Sequence, residues 1–170
     1  MVSERVSAQG RPVPSISAAK GGGDLFELIE QFSLATPAEI SEARDIALTT
    51  DRHPDDILVA KGIVDPAMLL RLMASAWLLP SIDLSKDRAD RDLLAEWSPE
   101  QYVSENWLPV RDKANGALLI ATARKPNAES TDRLVELLEC PVEFAVATAY
   151  DIRLTVERHT RGKRMLSFIR

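Results

Sequence analysis

The hydrophobic period changes once along this chain, at Leu79-Pro80, and that change limits the folds open to it. Before it, apolar residues recur every three or four positions, the spacing of helices that bury one stripe. After it they fall in short runs, one of them strictly alternating, and these suit strands. A chain that does both in turn is expected to be α+β: an N-terminal helical bundle subdomain followed by a small, mostly antiparallel sheet backed by helices. The expected divisions are a disordered tail at 1–23, a helical subdomain at 24–78, an α/β subdomain at 79–160 and a basic tail or linker at 161–170. Residues 1–23 carry too few large apolar groups to offset the entropy of ordering them, and end in Gly21-Gly22-Gly23.

In the helical half, Leu25, Phe26, Leu28, Ile29 and Phe32 share one face. Thr36-Pro37-Ala38-Glu39 then reads as a cap, a first-position proline and a capping-box partner, with Ile40, Ala43, Ile46 and Ala47 behind it. A third helix is expected over Pro54 to Lys61, with Gly62 placed to end it. Asp65-Pro66 restarts a helix whose stripe is Met68, Leu69, Leu72, Met73, Ala76 and Trp77. Such a stripe is core rather than a cofactor site. Leu25–Ala47 and His53–Ala76 repeat one pattern of short helix, turn and proline-started helix, so two copies could form a four-helix bundle.

In the second half, Ser81 to Leu84 reads as extended, and Ser98-Pro99-Glu100-Gln101 as a capping box starting a helix that runs through Trp107. Strands are expected at Leu108–Arg111 and Ala117–Thr122, joined by Asn115-Gly116. Thr131–Leu138 follows as a helix and Pro141–Ala147 as an alternating strand. Thr148 then caps a last helix over 149–158, with Asp151 as its return partner and Gly162 as the helix stop after which the chain leaves the domain.

Charge narrows the partners. The net charge is −5, but residues 24–157 hold 25 acidic and 13 basic side chains. An acidic body repels a phosphate backbone, so nucleic acid is not an expected partner. The last thirteen residues carry Arg158, Arg161, Lys163, Arg164 and Arg170 and no acid, so this tail could touch an anionic membrane surface. Cys140 is the single cysteine, which precludes an intrachain disulfide and fits a reducing compartment. The expected address is cytoplasmic, with the basic tail open to peripheral contact at a membrane surface.

Catalytic signatures are sparse. His53 and His159 are the only histidines, and no zinc-ligand spacing exists. No nucleophile elbow, phosphate loop or dinucleotide turn is present. The acid pairs Asp55-Asp56 and Asp90/Asp92 fall in segments that read as polar and solvated, with no sign of acid–base work. No catalytic, cofactor or metal residue is assigned, and the chain is expected not to be an enzyme.

A series of segments carries a resemblance. Leu79-Pro80-Ser81-Ile82-Asp83-Leu84-Ser85-Lys86-Asp87, then Leu94, Ser98-Pro99-Glu100-Gln101 and Leu108-Pro109-Val110, resembles the N-terminal domain of type II secretion ATPases, an MshEN-like domain. Ala117–Asn127, Pro141-Val142 and Ala147–Val156 continue the series. The resemblance implies a non-catalytic docking or regulatory domain. Its partner would be the cytoplasmic part of an inner-membrane protein or a covalently linked enzyme domain. It also implies two alternatives: a regulatory domain ahead of a membrane glycosyltransferase, and a cyclic di-GMP sensor.

The sensor branch of that family uses two helical segments of the form R-L-G-x-x-L-x-x-x-G. In the first, Asp24, Leu25, Phe26, Ile29, Ser33 and Ile40 fall at the Arg, Leu, Gly, Leu, Gly and later Leu positions. The second keeps Leu58, Gly62 and Leu69, and places His53 at the arginine position with Arg52 beside it. Asp55 replaces a glycine, and Ala76 a glutamine. Arg52, His53, Leu58, Gly62 and Leu69 are therefore the candidate ligand positions, in a degenerate pattern whose acid opposes phosphate.

Overall fold

The computed structural model describes residues 23–168, with side chains from 25 to 162; the expectations for residues 1–22 and for the side chains of the last eight residues lie outside this range. The elements run α1 (Gly23–Gln31), α2 (Pro37–Leu48), α3 (Pro54–Ala60), α4 (Pro66–Trp77), α5 (Arg91–Leu94), α6 (Pro99–Glu105), β1 (Trp107–Asp112), β2 (Leu118–Thr122), α7 (Ala128–Leu138), β3 (Val142–Val146) and α8 (Ala149–Phe168). The fold is α+β, and every described element before Leu79 is a helix.

Local chemistry sets most starts and stops. The Thr36 hydroxyl accepts from the Glu39 amide at 3.2 Å, and the Glu39 carboxylate accepts from the Thr36 amide at 2.8 Å. Asp65 caps α4 through the Met68 amide. Asn127 and Ser130 form a capping box that starts α7 three residues earlier than Thr131. Ser98 departs from the expected capping box: its hydroxyl donates to Glu100 at 2.7 Å and caps no amide. The helix it precedes stops at Glu105 rather than Trp107, because Asn106 turns left-handed at φ 58°.

The repeat in the helical half is exact in its turns. After α1 the Leu34 amide donates to the Ile29 carbonyl; after α3 the Ile63 amide donates to the Leu58 carbonyl. Ser33 and Gly62 occupy the matching left-handed positions, at φ 54° and 75°. Only Gly62 does so without the steric conflict of a Cβ. A methyl at Gly62 would meet nothing within 4 Å, so the cost of Gly62→Ala is backbone strain alone. It should lower stability by about 1 kcal/mol, while Ser33→Gly should leave stability unchanged or slightly higher. Urea midpoints of the two variants check both signs.

The sheet has the order β1-β2-β3. β1 and β2 form the expected hairpin: Asn115 Oδ1 accepts from the Ala117 amide, and Gly116 sits at φ 82°. β1 is an edge strand, where Pro109 can lack an amide, and a bulge follows it. β2 and β3 are parallel, so the sheet is mixed rather than mostly antiparallel. The cause is α7, which carries the chain back across before β3 begins. Extended backbone at Pro80–Ile82 lies along the other side of β3: the Ile82 amide donates to Val146 and the Val146 amide to Pro80.

All five residues of β2 are buried, and one apolar cluster runs from Leu25 and Ile29 through Leu58, Leu69 and Met73 to Leu108, Ile120 and Ile152. Tyr102 sits in it edge-on to Trp107, 5.1 Å between ring centres, with its hydroxyl on the Leu94 carbonyl. Burial pushes the Tyr102 pKa up to about 12, with Glu96 adding to the shift.

The helix expected to end at Gly162 continues to Phe168. A glycine inside a helix costs only about 1 kcal/mol. Here Arg153–Glu157 and Glu157–Arg161 pairs at i,i+4 spacing support the turns before it. Gly162 lies beside Arg91, whose guanidinium would stand 3.6 Å from an added Cβ, an ordinary contact. Gly162→Ala should therefore raise stability by up to about 1 kcal/mol. A lower thermal midpoint in that variant would restore the helix stop at Gly162.

Candidate functional site

The loop before α3, together with α6 and α8, walls an open groove of about 850 Å³. Its lining includes Asp51, Arg52, His53, Glu100, Gln101 and Val103. Two of the five candidate ligand residues, Arg52 and His53, thus line one groove. The other three do not join them. Leu58 and Leu69 lie in the core, and Gly62 closes α3.

The two groove candidates are already engaged. His53 is the N-cap residue of α3 but makes no side-chain cap. Its Nε2 lies 2.8 Å from the Val103 carbonyl, and its Nδ1 lies 3.3 Å from an Arg124 amino group. A guanidinium only donates, which makes Nδ1 the acceptor and puts the ring proton on Nε2, donated to Val103. Arg52 donates to Asp56 at 3.0 and 3.3 Å.

Behind them lies a buried ionic joint that the sequence reading missed. Asp55 and Asp56, expected in a solvated segment, are each 2% exposed. Asp55 accepts both ends of the Arg124 guanidinium at 3.1 Å. Asp56 lies between two arginines, accepting from Arg153 at 2.6 and 3.1 Å as well as from Arg52. Arg153 donates further to Glu157 at 2.9 Å. Burial opposes the Arg153 charge, but bonding and attraction from Asp56 and Glu157 outweigh it and raise the pKa.

The fold supplies each partner. Arg124 leaves the end of β2 in a tight turn, where the Thr122 hydroxyl accepts from the Arg124 amide and donates to its carbonyl. Arg153 and Glu157 are one turn apart on α8. The bidentate pairs match the planar fork of arginine to a carboxylate. The joint thus fastens α3, from the helical repeat, to two elements of the α/β half.

One signal could have exposed the acids. Asp55 and Asp56 run directly into Ile57-Leu58-Val59, and three consecutive apolar residues mark a short helix covered on all sides. Acids in its first turn then have no route to water. Among the described residues, no group of three or more His, Cys, Asp or Glu side chains could hold a metal ion.

The body is α+β around one apolar core, with α3 of the helical repeat paired ionically to the turn after β2 and to α8. The chain belongs to the MshEN domain family, which matches residues 77–166. No curated protein matches it. Among solved structures, the N-terminal domain of XpsE is similar in fold: 18% identity, TM-score 0.54, covering 79% of this chain and 92% of that one. A second crystal form of that domain gives 17% identity and TM-score 0.48, over 82% and 97%. The structure of MshE with cdg gives 23% identity and TM-score 0.49, over 79% and 97%.

Proposed function

We propose that this domain is a non-catalytic docking and regulatory module. Its partner in this reading is the cytoplasmic part of an inner-membrane protein, or an enzyme domain in the same polypeptide. The observation that carries the reading is the commitment of the ligand-like positions to the fold. Arg52 is held by Asp56, His53 by Val103 and Arg124, and the acid at the glycine position fills the space beside Arg124. Leu58 and Leu69 serve the core. Membership of the MshEN family supports a regulatory rather than a chemical role. Among the described residues no helix is long and apolar enough to cross a membrane.

A pull-down tests the reading, with the purified domain as bait and the cytoplasmic part of the membrane protein encoded beside it as prey. Retention that survives physiological salt is the expected result. Failure to retain any such segment, with ATP or nucleotide-sugar turnover by the domain alone, would overturn it.

A further inference from the structure

The joint has an arrangement beyond what a single interfacial ion pair needs. Three guanidinium groups, from Arg52, Arg124 and Arg153, converge on two adjacent carboxylates. Two of these arginines point at one carboxylate, Asp56, from different elements. Such a cluster of forked donors is what proteins use to hold oxyanions. Here the oxyanions are side chains of α3 itself, buried while the arginines remain partly reachable at 16–34% side-chain exposure. The adjacent groove gives a route from solvent to Arg52 and His53.

We propose that Asp55 and Asp56 are tethered occupants of an oxyanion site. The cluster is filled from within, and this pairing holds α3 to Arg124 and to Arg153 of α8. External carboxylate or phosphate gains access only when a tethered carboxylate is withdrawn. This holds whichever partner the domain docks to, because it follows from the joint alone.

The test is chemical rescue. Asp56→Ala removes one carboxylate and leaves a space the size of formate between Arg52 and Arg153. The variant should lose a large part of the wild-type urea midpoint, and sodium formate at about 0.1 M should restore part of that loss through ligand linkage. Sodium chloride at equal ionic strength should restore none. Asp56→Asn keeps the volume and should show no formate-specific recovery, nor should Leu69→Ala, a core variant remote from the cluster. Wild-type protein should respond alike to inorganic phosphate and to chloride of equal ionic strength. If Asp56→Ala is unfolded in chloride, formate should refold it. A variant that stays unfolded at every formate concentration overturns the proposal. So does one indifferent to which anion is present, or a wild type stabilised by phosphate over chloride.

Discussion

Asp55→Ala should cost about 3–5 kcal/mol, because it strands the Arg124 guanidinium without its anion in a low-dielectric setting. At about 2–4 °C per kcal/mol for a domain of this size, the thermal midpoint should fall by at least roughly 6 °C. The comparison inside the same molecule is the Lys61–Glu42 pair, whose side chains are 40% and 65% exposed. Breaking that pair should cost less than about 1 kcal/mol. The contrast is a matter of burial, since the two contacts are similar in length at 3.1 and 3.3 Å. Replacing Asp55 and Arg124 together by apolar residues should cost less than Asp55→Ala alone, because no charge is then left unpaired. A double-mutant cycle read from urea midpoints measures the coupling. A cost for Asp55→Ala no larger than that of the Lys61 pair would mean water reaches the joint.

Leu58→Ala should be the second severe variant, lowering stability by about 2–5 kcal/mol through lost burial and the cavity left behind. Leu58 is fully buried, and its carbonyl receives the Ile63 and Val64 amides that close α3. The position coincides with a leucine of the ligand-binding pattern, so the prediction separates two meanings of that leucine. A folding defect, seen as a lower denaturation midpoint, is expected whatever ligand is present. A variant with wild-type stability would place Leu58 outside the core and reopen a binding role.

What was legible in the sequence was local. The Thr36–Glu39 box, Asp65-Pro66 and the Asn115-Gly116 turn each involve residues within three positions of one another, and the structure closes them as read. The parallel pairing of β2 and β3 was implicit in the order strand, helix, strand, whereas the Asn115-Gly116 hairpin signals only the antiparallel pairing of β1 with β2. At Gly162 the local reading failed. A local stop signal was overridden by the pairs along α8, because a helix tolerates one glycine when its flanks are supported.

The joint was the least legible part, because its partners lie far apart in the chain. Arg124 is 69 residues from Asp55, and Arg153 is 97 from Asp56. No spacing rule connects residues so far apart, and arginines in an acidic chain read as surface. The α+β class follows from periodicity, which each segment carries by itself. The union of the halves depends on side chains that meet only once both are folded.

The positions that resemble a cyclic di-GMP motif are engaged in the fold: Arg52 by Asp56, His53 by Val103 and Arg124, and Leu58 and Leu69 in the core. Titration calorimetry of the purified domain with cyclic di-GMP measures whether these residues can still hold that ligand. No binding tighter than about 100 μM, near −5.5 kcal/mol, is expected. A low-micromolar isotherm that disappears in Arg52→Ala, while that variant remains folded, would contradict it.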